Sequence, residues 1–370
     1  MTPPRFRLES IAAEPLAVPL IEPFVIATGR VETTPSVLVM VTLRDLATGE
    51  RSEGIGEAAT LPPVTRETQK DVLFSVMGAA GALRRAELAD DDFTSLTQLL
   101  DRTFPSAPVA RAGVETAVLD AWARLKHVPL SVLLGGEQAL ATHDITTDIT
   151  IPIGAPEHMG QLAGEWWRKG FRQFKVKVGR GVEADIAALE AIHERAPEAI
   201  FRLDANAGYS ATEAIAVARS ALDAGLRIEC YEQPCGRLAL DALREVAASL
   251  GVPVIADESV ATLDELSRVI AARAVQGVNL KLVKSGGPLR ALAIGRAARE
   301  AGLSLMVGAM VETRLGISAA AHVTAALGGV EYPDLDTALL LAGDPFVGGY
   351  TMTGPRLTLG DAPGLGVDRR

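Results

Sequence analysis

The sequence predicts an α/β protein: a (β/α)8-type, modified TIM barrel with an N-terminal α+β capping domain. Three observations carry this reading. From about residue 145, eight apolar runs of strand length recur with midpoints 24 to 28 residues apart. Amphipathic stretches of helical period separate them. Acidic residues close three successive runs, where a parallel barrel would gather them at one rim.

The candidate strands are Thr147–Ile151, Phe171–Val178, Ile200–Asp204, Arg227–Glu232, Pro253–Asp257, Gly277–Leu282, Leu303–Val307 and Val330–Asp334. Helical stretches between them include Glu183–Arg195, Ala211–Ala224 and Pro288–Ala301, the last with Leu289, Leu292, Ile294 and Ala298 near helical spacing. The first 140 residues differ. Leu8–Val18, Ser36–Leu43 and Gly54–Ala58 read as strands, and helical stretches follow near Thr68–Arg85, Phe93–Thr103 and Val109–Lys126. Val128 to Gly136 reads as the passage into the barrel. The expected division is a capping domain over 1–135, completed by a Gly- and Pro-rich tail over 345–370, and a barrel over 136–344.

Composition narrows the function. The 370 residues are 48 % hydrophobic and 22 % charged, a globular balance. With 36 basic against 46 acidic residues the net charge is -10 and there is no basic block, which argues against a nucleic-acid partner. No apolar run is long enough to span a membrane, and Met1 to Ser10 lacks the pattern of a signal peptide, so a cytoplasmic location is expected. Two cysteines, Cys230 and Cys235, make no disulfide framework and are read as free, inert thiols.

Chemistry concentrates at the strand ends. Asp204, Glu232 and Asp257 close the third, fourth and fifth strands. Any one alone could cap a helix; three together repel unless a cation joins them. An oxygen-only set without histidine suits Mg²⁺ better than Zn²⁺. Alternation along the second strand places Lys175 and Lys177 on the barrel side, opposite Phe174, Val176 and Val178. On the sixth strand it turns Asn279 and Lys281 inward. Lys177 and Lys281 lie four staves apart and so face each other across the mouth. Lys284 reads as a loop or surface lysine. Two bases opposed across a metal-bound carboxylate suit removal and return of an α-proton through an enediolate. A base needs a lowered pKa, and Lys175 beside Lys177 is expected to supply like-charge repulsion.

This set, Lys-x-Lys, Asp, Glu, Asp and Lys on successive strands, resembles the enolase superfamily and within it the muconate-lactonizing-enzyme subgroup. The resemblance implies one Mg²⁺ per subunit on Asp204, Glu232 and Asp257, with Lys175, Lys177 and Lys281 catalytic. On the eighth strand, Asp334-Leu335-Asp336 is similar to the Asp-x-Asp motif with which dipeptide epimerases of this subgroup hold a substrate α-ammonium; paired carboxylates satisfy a group that only donates. Thr150 matches a substrate-contacting threonine of those enzymes. The implied reaction is inversion at the α-carbon of the C-terminal residue of an L,L-dipeptide. The alternatives are N-acylamino-acid racemase, o-succinylbenzoate synthase, cycloisomerase or hydroxyproline dehydratase; a non-catalytic barrel is disfavoured, because the metal and base positions are all present. A mandelate-racemase-like site needs a histidine near the seventh strand, and Leu303 to Glu312 contains none. His322 is read as structural. Selectivity is expected from a capping loop near Pro23–Thr34, where Phe24 and Ile26 suggest an apolar wall and Arg30 a partner for an acidic side chain. Barrels of this family often associate, so a homo-oligomer is an expectation.

Overall fold

The computed structural model describes residues 3–90 and 93–370; Met1 and Thr2, the start of the segment read for a signal peptide, lie outside them. Among the described residues, no helix is long and apolar enough to cross a membrane.

Eight parallel strands form one sheet in chain order: Ile149–Ile151, Gln173–Lys177, Ile200–Asp204, Arg227–Glu232, Val254–Ala256, Gly277–Leu280, Ser304–Gly308 and Tyr332–Asp334. Their alternation sorts side chains. Phe174, Val176, Phe201 and Leu203 are buried toward the surrounding helices, while Lys175, Lys177 and Asp204 take the interior. Cys230, Ile255, Met306 and Tyr332 form a separate apolar cluster. They precede by two residues the strand-end Glu232, Asp257, Gly308 and Asp334, so by strand alternation they plug the barrel one layer below its rim. Both cysteines are buried and free; burial pushes Cys235 up to about 11 and raises Cys230 too.

Closure between the eighth and first strands relies on side chains. Asp336 accepts the Thr150 N–H at 2.6 Å, and the Thr147 hydroxyl accepts the Leu335 N–H at 2.7 Å. Arg202, on the third strand, donates to the Pro333 carbonyl and to Asp148, each at 2.8 Å. The eighth strand is followed by a 3₁₀ turn, Thr337–Leu340, instead of a helix.

The N-terminal part is a four-stranded antiparallel sheet, ordered Arg51–Ala59, Ser36–Asp45, Pro4–Leu16 and Glu87–Ala89. Helix Pro108–Leu125 lies against it. A Cβ on Gly54 would sit 2.1 Å from the Ala117 carbonyl and one on Gly56 2.3 Å from that of Gly113, so glycine sets this approach. The helix also meets the barrel: Glu115 accepts the Leu289 N–H at 2.7 Å, and Arg111 bonds both Glu115 and the Gly286 carbonyl. The tail packs back on the same helix, where Asp120 accepts the Leu365 N–H at 2.7 Å and Arg124 donates to the Val367 carbonyl at 2.9 Å. The capping segment read as a loop near Pro23–Thr34 is instead largely a hairpin, Pro19–Ile26 with Gly29–Thr33. Pro19 and Pro23 hid it: neither can donate to a ladder, and the register shifts between Pro19 and Phe24.

A buried pair of acids joins the two parts. Glu57, on the capping sheet, accepts the Thr313 hydroxyl at 2.5 Å and the Thr313 and Gly316 N–H groups, each at 3.1 Å, at the N-terminus of helix Arg314–Leu327. Beside it, burial and then the charge of Glu57 push Glu312 from 4.5 up to about 8, against the Met310 N–H and Lys281. The folded chain therefore keeps a proton that the unfolded chain releases near 4.5. Native stability should fall as pH rises from about 5 through about 8. Glu312→Gln needs no proton, so its urea midpoint should fall less over that range; equal slopes in native and variant would refute the retained proton on Glu312.

Candidate active site

The acidic residues expected at the barrel mouth all lie there and are buried. Their charges are compensated by ammonium groups placed between them. Lys175 Nζ lies 2.6 Å from Asp334, 2.7 Å from Glu232 and 3.2 Å from Asp204. Lys177 bonds Asp204 at 2.5 Å, and Lys281 bonds Asp257 at 2.6 Å. Asn279 points inward as alternation requires and donates to Glu232 at 2.7 Å.

One expectation is corrected among the ammonium groups. Lys284 is not a surface lysine. It lies in the turn Leu282–Ser285, and its ammonium bonds Asp257 Oδ1 and the Asp257 carbonyl, each at 2.6 Å, and the Asn279 carbonyl at 2.9 Å. A one-turn helix directly after the strand swings it back onto the acid. Lys175, expected to repel Lys177, is itself held charged by acids. Burial would lower it, but Asp334, Glu232 and Asp204 outweigh burial and raise it well above the ordinary value. Lys281 is likewise raised: burial opposes, and Asp257 and Glu232 win.

The acids divide in the same field. Burial favours the neutral form of Asp204, yet Lys177, Lys175 and Lys281 hold it below its ordinary value, and Lys281 and Lys284 do so for Asp257. Burial and the neighbouring Asp204 push Glu232 up to about 7. Gln233 braces the segment, its side-chain Oε1 accepting the Asp257 N–H at 2.8 Å and the Ser259 N–H at 3.2 Å.

A small cavity opens above this layer. Thr150, Lys175, Lys177, Lys281 and Asp334 line its charged side, and Phe24 and Ile26 belong to its apolar side. Leu61 and Val64, from the N-terminal part, and Ala309, Met310 and Val311, from the loop after the seventh strand, extend the apolar side and escaped the sequence reading, because nothing local marks either loop as closing over the site. Asp336 is buried behind the lining with one oxygen on the Thr150 N–H and the other without a partner; burial and Asp334 push it up to about 6. Arg30 does not reach the cavity. It pairs across the hairpin with Val25, on the face opposite Phe24 and Ile26, and its guanidinium bonds Glu32 at 2.8 Å. His322 is structural: its Nδ1 accepts the Ser131 N–H, and burial pushes it down to about 3.

The donor set fits a hard divalent cation. Asp204, Glu232 and Asp257 offer only oxygen, and Glu232 Oε2, though 2.7 Å from Lys175, makes no hydrogen bond. Among the described residues, Asp148, Asp334 and Asp336 are the acids that bring one oxygen each within 4.8 Å of one another. In that group Asp148 is bonded to Arg202, Asp334 to Lys175 and Asp336 to the Thr150 N–H, just as Asp204 is bonded to Lys177 and Asp257 to Lys281.

This architecture has known counterparts. Residues 158–370 match the family model described as enolase C-terminal domain-like, and residues 10–135 match the mandelate racemase / muconate lactonizing enzyme N-terminal domain. The chain belongs to the muconate-lactonizing-enzyme subgroup of the enolase superfamily. It is 36 % identical over 364 residues to an aromatic dipeptide epimerase of Herpetosiphon aurantiacus, covering 98 % of both chains. A substrate-liganded complex of the L-Ala-D/L-Glu epimerase from Bacillus subtilis superposes with a TM-score of 0.89 at 33 % identity, over 97 % of this chain and 98 % of that one. The dipeptide epimerase from Enterococcus faecalis V583, complexed with Mg and the dipeptide L-Leu-L-Tyr, superposes with a TM-score of 0.87 at 31 % identity, over 98 % and 99 %.

Proposed function

We propose that this protein is a Mg²⁺-dependent dipeptide epimerase, an isomerase that inverts the α-carbon of the C-terminal residue of an L,L-dipeptide. The observation that carries the reading is the joint lining of one cavity by Lys177, Lys281 and Asp334, above Asp204, Glu232 and Asp257. Full-length relatives named as dipeptide epimerases support it.

Lys177 and Lys281 stand on opposite staves, so an α-carbon between them meets one ammonium or amine on each face. One lysine takes the proton and the other delivers one to the opposite face, which inverts the centre. Asp204, Glu232 and Asp257 would hold the metal. A Mg²⁺ held there would supply positive charge that stabilises the substrate carboxylate and would offset the carboxylate charge that raises Lys281. Lys175 keeps its proton and holds Asp204, Glu232 and Asp334 together. Asp334 and Asp336 take the substrate α-ammonium, a donor-only group matched to two acceptors.

Asp204→Asn should lose metal and activity together, because a charge and a strong ligand go at once; calorimetric Mg²⁺ titration that finds unchanged affinity would remove Asp204 from the ligand set. Lys177→Ala and Lys281→Ala should each abolish epimerisation yet let the surviving lysine exchange the α-proton of one epimer. NMR in deuterated water, run on both epimers, reads this, and equal exchange of both epimers by both variants contradicts a two-base mechanism.

The ammonium assignment has its own test. Breaking one partner of a desolvated charge pair typically costs about 2–5 kcal/mol. Asp336→Asn should therefore lower kcat/KM strongly for free dipeptides, and N-acetylation of the substrate should cost native enzyme a similar amount. If native enzyme prefers the N-acyl compound, the protein is an acylamino-acid racemase.

A further inference from the structure

The cavity has a charged floor and an uncharged wall, and the wall constrains one part of the substrate. Its cations are Lys175, Lys177 and Lys281, and each already bonds a buried acid: Lys175 meets Asp334, Glu232 and Asp204, Lys177 meets Asp204, and Lys281 meets Asp257. Its acid is Asp334, held by Lys175. The remaining lining includes Phe24, Ile26, Leu61, Val64, Met310 and Val311. Phe24, Ile26 and Leu61 come from the capping domain and are buried, as are Met310 and Val311 from the seventh barrel loop.

The wall also has a position relative to the reacting carbon. The Phe24 ring lies 6.0 Å from Lys177 Nζ, one of the groups that must reach the α-carbon. Whatever projects from that carbon toward the cap meets Phe24 and Ile26. The wall is held in place from behind. The Thr337 hydroxyl donates to the Met310 carbonyl at 2.9 Å, Glu312 accepts the Met310 N–H at 2.9 Å, and Thr65 accepts the Leu61 N–H at 2.9 Å. A charged side chain placed there would lose its water and find no free counter-charge. The nearby arginine of the hairpin, Arg30, faces the other way and is paired with Glu32.

Resting on the dipeptide-epimerase reading above, we infer that the epimerised residue carries an apolar side chain, and that Phe24 and Ile26 are specificity-determining residues that exclude acidic and basic ones. The test is kcat/KM for epimerisation of L-Ala-L-Leu and L-Ala-L-Phe against L-Ala-L-Glu and L-Ala-L-Lys, followed as deuterium incorporation by mass spectrometry. Native enzyme should favour the apolar pair by about a hundredfold or more, since an unpaired buried charge costs on that order. Ile26→Arg should move the ratio toward L-Ala-L-Glu. Arg30→Ala should leave every ratio unchanged. A native preference for the Glu or Lys dipeptide, a selective loss of L-Ala-L-Glu turnover in Arg30→Ala, or an Ile26→Arg ratio equal to native would each overturn the inference and leave the epimerase reading standing. Failure to epimerise any dipeptide would overturn both.

Discussion

Lys175 is a buried ammonium surrounded by three buried carboxylates, Asp204, Glu232 and Asp334, and the rest of the site is arranged around it. Charges withdrawn from water are tolerated only when paired and hydrogen-bonded. The barrel meets that condition by strand alternation. The second strand sends Lys175 and Lys177 inward, and the third answers with Asp204, which lies in register with Lys177; Arg202, in register with Lys175, finds its own acids in Asp148 and Glu229. A slip of one residue would exchange these charges for Phe174, Val176 and Leu203 and leave several charges without partners at once. Register and charge compensation therefore enforce each other.

The same economy closes the barrel. The first and eighth strands are joined through Asp336, Thr147 and Arg202. One oxygen of Asp336 holds the backbone of Thr150, itself a lining residue, so the acid expected at the substrate ammonium also fixes the rim on which it stands. Arg202 lies one layer lower, over the Tyr332 ring at 5.4 Å, and links Asp148 to Glu229. The cap is held by similar means: Glu57 at the N-terminus of helix Arg314–Leu327, and Arg111 with Glu115 at the sixth loop.

What the sequence made legible were the parts governed by local period. Strand alternation with acids at the ends located Asp204, Glu232 and Asp257, and the same alternation oriented Lys175, Lys177, Asn279 and Lys281. The third and fourth barrel strands have the expected limits, Ile200–Asp204 and Arg227–Glu232. What escaped depends on partners distant in the chain. Lys284 looked exposed because the one-turn helix that folds it back leaves no periodic trace. Arg30 looked available because its facing is decided by a hairpin whose prolines conceal it. Glu57 and Glu312 are 255 positions apart and meet only once the cap is seated, and Arg202 meets Asp148 only when the strands close. The charge state of Lys175 and Lys281 was hidden for a related reason: it is set by acids on other strands, which outweigh burial.

Chemistry and selectivity thus rest on different elements. Every charged group of the cavity sits at the end of a barrel strand or within a few residues of one, on backbone held by the ladder. The apolar wall sits on the capping hairpin, the loop through Leu61 and Val64, and the loop through Met310. Barrel loops carry variation at low cost to the fold, because few ladder bonds depend on them. A wall substitution such as one at Ile26 alters what fits without disturbing the neutralisation of Lys175. A substitution among the strand-end acids cannot be as local: removing Asp204 leaves Lys175 and Lys177 short of a shared partner, and the imbalance spreads through Lys175 to Glu232 and Asp334. The arrangement accordingly lets one set of acids and bases serve different side chains, with the cap deciding which side chain is admitted.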